Sequence, residues 1–188
     1  MVLTKQRSII KMTDNNIITA YKANPAAGFK LLLDEYQEKI YWHIRRLVVT
    51  HEDAEDVMQE TFIKIFKSLN TFRGDSSLAT WLYRIATNES IRLLRKQRPE
   101  TLAQDDDGYT LADKLEASEY VDYGDETAVR FQKAILSLPD KQRIVFNLRY
   151  YDELTYEQIA NITGDKVNTL KVNYHIAKEK IKTLMINS

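Results

Sequence analysis

The scarcity of helix-breaking residues constrains this chain more than any other feature of its sequence. Its 188 residues include only five Gly and three Pro, and long stretches contain neither. In those stretches apolar residues recur every three or four positions, which places them on one face of an α-helix, instead of alternating as they do in a strand. The fold class predicted from this pattern is all-α.

The apolar spacing also locates the helices. They are expected at about residues 25–48, from residue 52 onward, from residue 76 or 77 to 98, and at about 127–137, 140–151, 155–162 and 166–185. The first is expected to bury Phe29, Leu32, Leu33, Tyr36, Ile40, Ile44 and Leu47. The second is expected to bury Ala54, Val57, Met58, Phe62, Ile65, Phe66 and Leu69. The last is expected to bury Val167, Leu170, Tyr174, Ala177, Ile181 and Leu184.

The formal net charge is zero, but charge is unevenly distributed along the chain. Residues 1–98 carry 16 Lys and Arg against 11 Asp and Glu, residues 99–126 carry 1 against 10, and residues 127–188 carry 10 against 6. The middle segment has few large apolar residues, which is typical of a linker. The chain is therefore predicted to form two small helical domains, at 1–98 and 127–188, joined by an acidic linker at 99–126. The mildly basic ends suit a polyanionic partner.

The composition argues against several classes of protein. Cysteine is absent, so no disulfide framework or thiolate metal site is expected. The sequence offers no nucleophile–base pair, phosphate-binding loop or metal-ligand spacing, which predicts a protein that is not an enzyme and uses no cofactor, no metal and no catalytic residue. No apolar run approaches the ~18 residues of a membrane span, and no signal peptide is evident at the N-terminus. The expected location is the cytoplasm, without membrane insertion.

Residues 155–170 carry the strongest local signal, that of a helix-turn-helix. Ala160 is small enough for two helices to cross, Gly164 suits the turn that follows, and Leu170 faces back into the bend. The early exposed residues of the second helix would then meet base edges in the major groove, while the start of the first helix contacts phosphate. The residues predicted to bind duplex DNA are Thr155, Tyr156, Thr169, Lys171, Val172 and His175. The alternative is a plain helical hairpin.

A second candidate surface is the outer face of the helix that follows residue 52. Asp56, Gln59, Glu60 and Ile63 recur at helical spacing and form an acidic and amide patch with one apolar side chain. Such a patch suits a basic protein surface. The alternative is an ordinary solvated acidic face.

The third candidate surface is the loop after that helix, together with the helix that follows it. Phe72 and Arg73 lie in a loop that suits an unstacked base, since aromatic rings stack on single-stranded bases. Phe72 fits loop anchoring equally well, and Trp81 is expected in the core. The basic helix end, with Arg92, Arg95, Lys96 and Arg98, suits backbone phosphates.

Taken together, residues 53–62, 72–78, 80–86 and the helix-turn-helix resemble the extracytoplasmic-function (ECF) class of bacterial RNA polymerase sigma factors. The resemblance covers about residues 14–98 and 127–185. It implies a transcription initiation factor that binds core RNA polymerase and reads the −10 and −35 elements of promoter DNA. It also implies a sigma region 2-like bundle, a sigma region 4-like helix-turn-helix, regulation by an anti-sigma factor, and no requirement for a homo-oligomer.

The resemblance assigns roles to the candidate residues. Asp56, Gln59, Glu60 and Ile63 correspond to the contact with the β′ clamp. The −10 element would be bound by Phe72, Arg73, Asp75, Asn88, Arg92 and Arg95. The helix-turn-helix would read the −35 element and touch the β flap. The acidic linker fits either a mimic of nascent RNA or a flexible tether. Residues 168–173 depart from the common Gly-Thr-Val-Lys-Ser-Arg pattern, which leaves the preferred −35 sequence open.

Two rival functions stay open at the level of sequence. A stand-alone helix-turn-helix regulator would bind duplex DNA without polymerase and would normally dimerise. A helical adaptor would use its acidic faces to bind proteins only.

Overall fold

A computed structural model describes residues 14–97 and 125–186, and the predicted linker lies almost entirely outside these ranges. The described residues form helices joined by short turns, which confirms the all-α class. Residues 14–23 form α1. The other helices are α2 (Pro25–Val48), α3 (His51–Ser68), a 3₁₀ turn (Leu69–Thr71), α4 (Leu78–Gln97), α5 (Glu126–Leu136), α6 (Asp140–Tyr150), α7 (Tyr156–Thr163) and α8 (Val167–Ile186).

Local sequence explains where most of these helices begin. Asn24 accepts hydrogen bonds from the backbone of Ala26 and Ala27, and Pro25 occupies the first turn of α2. Thr50 caps α3 in the same way. The Oγ of Ser77 accepts from the backbone N–H of Thr80, 3.2 Å away, so Ser77 is the residue that caps α4. Polar side chains thus satisfy the orphan N–H groups at these helix starts.

The N-terminal domain is a bundle of α1–α4. Its fully buried side chains include Leu32, Ile40, Ile44, Ile65 and Leu82. Helix α1 was not predicted from the sequence, and a buried hydrogen-bond chain fixes it. Asp14 accepts a 2.6 Å bond from the Tyr36 hydroxyl and a 3.2 Å bond from the backbone N–H of Leu78. One carboxylate therefore joins α1, α2 and α4.

The C-terminal domain consists of α5–α8. Helices α5, α6 and α8 enclose a second apolar cluster that includes Ile135, Phe146, Ala177 and Ile181. Helix α7 packs beside α8 through the turn at Gly164, as a helix-turn-helix requires.

Two residues predicted to be buried lie at the edge of the fold. Phe66 is 42% exposed because it sits at the rim of α3, where its ring meets the edges of Tyr21 and Phe29. Leu184 is also 42% exposed, and in the same turn of α8 it is Met185 that packs against the second apolar cluster. The remaining predicted core positions are buried or half-buried. Among the described helices, none combines the length and the apolar character that crossing a bilayer demands.

The two domains are in direct contact. Helix α4 packs against α7, and α2 packs against α6. One continuous cluster of buried apolar residues crosses the boundary, joining Leu47, Val48 and Leu94 to Val145 and Ile159. The interface is therefore a shared core.

Candidate nucleic-acid interface

The helix-turn-helix has the local geometry that its sequence predicts. Thr155 and Gln158 form a reciprocal capping box: the Thr155 side chain accepts from the Gln158 N–H at 3.2 Å, and the Gln158 side chain accepts from the Thr155 N–H at 2.9 Å. Gly164 ends α7 in the left-handed region with φ 79°, where a side chain would be strained. Leu170 is completely buried and anchors α8 in the bend.

The outer face of α8 carries the predicted recognition residues. Thr169, Lys171, Val172 and His175 are all exposed, and Val172 is 56% exposed. An exposed Val beside a Lys offers both an apolar surface for a thymine methyl group and a donor for guanine or phosphate.

Tyr156 at the start of α7 holds two cations close to this face. The Arg149 guanidinium lies 5.3 Å from the centre of the Tyr156 ring, and the Lys171 ammonium lies 5.9 Å from it. Both distances fall within cation–π range. Tyr156 is half-buried, so it orients basic side chains and keeps only part of its own surface for phosphate contact.

The acidic face of α3 is free of core packing. Asp56, Gln59, Glu60 and Ile63 are exposed, while Val57 and Ile65 on the opposite side are buried. Ile63 is 41% exposed and has the exposed Phe66 one turn away. We call Asp56, Gln59, Glu60 and Ile63 the docking face, because acidic groups around an apolar side chain suit a basic protein surface.

A cleft of about 420 Å³ lies at the loop between α3 and α4. It is lined by residues 71–76 together with Trp81, Arg84 and Asn161, and we call it the loop cleft. The Phe72 and Trp81 rings meet edge to face with centroids 5.6 Å apart. Gly74 turns the loop with φ 78°. The loop cleft brings together Phe72, Arg73 and Asp75 of the predicted −10 residues. It also includes Trp81, whose half-buried ring packs against the core as predicted.

The predicted −10 residues on α4 lie elsewhere. Asn88 and Arg95 line a second cleft, of about 330 Å³, whose far wall comes from the C-terminal domain. We call this the interdomain cleft. Arg92 points toward α3, where it bonds Glu89 at 2.7 Å and lies 4.0 Å from Glu60. The six predicted residues therefore occupy three locations.

Glu89 is the centre of a charged network between α3 and α4. Its side chain is 6% exposed, and it accepts hydrogen bonds from Lys64 and Arg92. Burial acts to raise the pKa of Glu89, but the bonds from the two cations outweigh it and hold that pKa below its usual value. The Arg92 side chain is thus partly occupied by contacts within the fold.

Several polar residues near these surfaces were missed from the sequence. Asn161 of α7 reaches the loop cleft of the other domain. His43 and Asp152 form a buried contact across the domain boundary. Nearby, burial raises the pKa of Tyr83, and the charge of Asp152 adds to the effect. None of these contacts is local in sequence, so no motif indicated them.

Comparison with known proteins agrees with the two-domain architecture. Residues 32–100 match the family model for sigma-70 region 2, and residues 128–181 match the model for sigma-70 region 4. The first match contains the docking face and every residue of the loop cleft except Asn161, and the second contains Asn161 and the helix-turn-helix.

Two solved structures share the fold. One is the sigma factor RpoE in complex with the anti-sigma factor NepR from Bartonella quintana, with a TM-score of 0.64, 24% identity, and coverage of 84% of this chain and 96% of that chain. The other is CnrH in complex with the cytosolic domain of CnrY, with a TM-score of 0.65, 20% identity, and coverage of 94% and 99%.

Curated relatives align over most of their length. The ECF RNA polymerase sigma factor SigW of Bacillus subtilis is 32% identical over 173 residues, which cover 88% of this chain and 92% of the relative. The RNA polymerase sigma-H factor of Pseudomonas aeruginosa is 34% identical over 177 residues, with 89% and 91% coverage. The ECF sigma-E factor of Haemophilus influenzae is 32% identical over 180 residues, with 92% and 95% coverage. This chain belongs to the ECF class of the sigma-70 family, the transcription initiation factors of bacterial RNA polymerase.

Proposed function

We propose that this sigma factor recruits core polymerase through the docking face and reads promoters with two separate DNA surfaces. The observation that carries the proposal is the distribution of three exposed surfaces over two domains: the docking face and the loop at residues 71–76 on one, and the outer face of α8 on the other. Linking two weak readers through one polymerase raises the effective concentration of each. The chain acts in the cytoplasm, where the polymerase is, and leaves catalysis to it.

The docking face is proposed to bind the β′ clamp. Its carboxylates lie on one side of α3, and Ile63 provides apolar contact at the same site. Complementary charge speeds association and fixes register, while a small apolar centre contributes affinity.

The loop cleft is proposed to capture a base of the melted −10 element. Phe72 and Trp81 offer aromatic surface, and the exposed Arg73 and Arg84 attract the strand backbone. Flipping a base costs a few kcal/mol, and stacking contributes about 1–3 kcal/mol per base, so the two are of similar size. Asn88 and Arg95 extend this surface along α4.

The outer face of α8 is proposed to read the −35 element as duplex DNA, with its domain resting on the β flap. Lys171, Val172 and His175 are exposed on consecutive turns of the recognition helix. An anti-sigma factor is proposed as the regulator. The two structural neighbours, solved as complexes with such partners, support this by analogy.

The test is in vitro transcription by core polymerase with the purified chain on a promoter library. Transcripts that depend on the chain and share two motifs at fixed spacing are expected. Tight and specific duplex binding without core polymerase would instead favour a stand-alone regulator.

The docking face has its own test. Reversing the charge at both positions, with Asp56→Lys and Glu60→Lys, is expected to weaken core-polymerase binding by at least about tenfold. The reason is that attraction to a basic surface becomes repulsion. The matched control is Asp34→Lys with Glu38→Lys, which makes the same change at two exposed α2 positions with the same spacing. Wild-type binding by the first pair, measured by fluorescence anisotropy with folding checked by circular dichroism, would refute the assignment.

A further inference from the structure

The recognition helix carries an apolar strip on the face that is proposed to enter the major groove. Val172 is 56% exposed, and Ile176, one turn later, is 37% exposed. Leu170, Ala177 and Ile181 on the opposite side of α8 are buried, so the strip faces away from the domain. We call Val172 and Ile176 the apolar strip. Two apolar side chains at this place suit an apolar group on the DNA.

The one cation in these turns of α8 is held beside the apolar strip. Lys171 is the only Lys or Arg among residues 167–177. Its ammonium group lies 5.9 Å from the centre of the Tyr156 ring, and the Arg149 guanidinium lies 5.3 Å from the same centre. Arg149 is itself tied to this place, because it donates a 2.8 Å hydrogen bond to the carbonyl of Leu154. Lys171 is therefore drawn toward the start of α7.

A pair of cations at the start of α7 suits phosphate better than base edges. The first helix of a helix-turn-helix crosses the DNA backbone, and contacts to the backbone position the protein without reading sequence. Lys171 and Arg149 meet around Tyr156 at that end of the helix. With Lys171 used for phosphate, residues 167–177 keep no Lys or Arg for the two-bond contact that identifies guanine.

The side chains that remain on the outer face of α8 match A·T base pairs. Asn168 is exposed in the first turn, and an Asn side chain forms two hydrogen bonds with adenine. Thymine alone among the four bases presents a methyl group in the major groove, and an apolar side chain such as Val172 packs against it. His175, also exposed, adds a hydrogen-bonding group that fits either purine.

We propose that the chain reads an A·T-rich −35 element, that Val172 determines specificity by contact with a thymine methyl group, and that Lys171 binds phosphate. The inference rests on the proposed function and names the bases that the outer face of α8 selects. It supplies the −35 preference that the sequence of residues 168–173 left open.

The first experiment removes the thymine methyl group alone. The −35 element is taken from the strongest promoter that the library yields, and each of its thymines is replaced in turn by uracil. Uracil keeps every hydrogen-bonding group of thymine and lacks only the methyl group. Binding of this DNA by core polymerase with the full chain is measured by fluorescence anisotropy. Uracil is expected to weaken binding about fourfold at one position or more, which is the effect of losing one buried methyl group.

The second experiment identifies the side chain that covers the methyl group. Val172→Ala should bind the thymine and uracil promoters equally well at that position, because the shortened side chain no longer reaches the methyl group. Leu184→Ala is the matched control, since it removes apolar surface from an exposed position in the last turns of the same helix. This control should keep the fourfold difference. Circular dichroism checks that both variants fold.

The third experiment separates phosphate contact from base contact. Lys171→Met should weaken binding to all −35 sequences by a similar factor. It should also lower the slope of log affinity against log salt concentration by about one, with the base preference unchanged.

Three results would overturn the proposal: uracil has no effect at any thymine, Val172→Ala keeps the full uracil effect, or Lys171→Met relaxes a preference for guanine. If the library yields no promoter that depends on the chain, the proposed function itself fails.

Discussion

At the scale of single residues, Glu89 shows how one buried carboxylate can both pack between two helices and bind cations from each of them. It is buried between α3 and α4 and bound by Lys64 and Arg92. Because the pKa of Glu89 is lowered in the folded protein, the ionised form stabilises the fold. This contribution is complete above the ordinary glutamate pKa and is lost as pH falls through the lowered value.

Glu89→Gln is therefore expected to reduce the free energy of unfolding at neutral pH by about 1–3 kcal/mol. The difference from wild type should shrink as pH falls below about 4.3, the ordinary pKa of a glutamate, because the wild-type carboxylate then becomes protonated as well. Urea denaturation across this pH range measures it. Glu38→Gln, at an exposed position, should show little effect, and a Glu89→Gln deficit that is independent of pH would argue against the charge network.

The sequence was enough to identify residues whose roles depend on neighbours within a few positions. It was not enough to identify residues whose roles depend on contacts with distant parts of the chain. Gly164, Thr155 and Leu170 are fixed by a turn, a cap and a bend within a few positions of one another, so their spacing was informative. His43 and Asp152 meet across 109 positions, and Asn161 reaches a cleft of the other domain. Each is an ordinary polar residue in its own helix or loop, and only tertiary packing gives it a partner.

At the scale of helices, the crossing of α1 and α2 depends on Gly28. A Cβ at this position would lie 2.2 Å from the backbone nitrogen of Tyr21. Backbone atoms cannot swing aside as a flexible side chain can. The helices approach this closely only because residue 28 has no side chain.

Gly28→Ala is expected to lower the free energy of unfolding by about 1–3 kcal/mol, although Ala is the better helix former. The comparison is Ala26→Gly, an exposed α2 position where Gly should be the poorer residue by up to about 1 kcal/mol. Thermal or urea denaturation measures both. Stabilisation by Gly28→Ala would show that the two helices can separate at little cost.

Helix positions were predictable to within a residue or two because caps and breakers are local signals. Pro25 and Gly164 each mark an end that the structure confirms, and the structure adds Asn24 and Thr50 as the residues that cap α2 and α3. The exceptions lie where an element meets the edge of the fold. Phe66 and Leu184 fit the apolar period of their helices, but periodicity does not reveal which positions at the edge of an apolar stripe the neighbouring helices cover.

At the scale of the whole molecule, the shared core predicts that the domains unfold together. Both tryptophans, Trp42 and Trp81, lie in the N-terminal domain, whereas helices of both domains contribute to circular dichroism. In urea, tryptophan fluorescence and far-ultraviolet circular dichroism are expected to give coincident transitions. An earlier fluorescence or dichroism midpoint would show that the apolar interface is too weak to couple the domains.

The ends of the two domains are also fixed. Gln97 at the end of α4 donates a 2.7 Å hydrogen bond to Asp53, and Asp125 caps α5. From residue 97 to residue 125 a polypeptide reaches at most roughly 95 Å. The number of residues between these anchors therefore limits how far apart the facing ends of the two domains can lie when one molecule contacts two stretches of DNA.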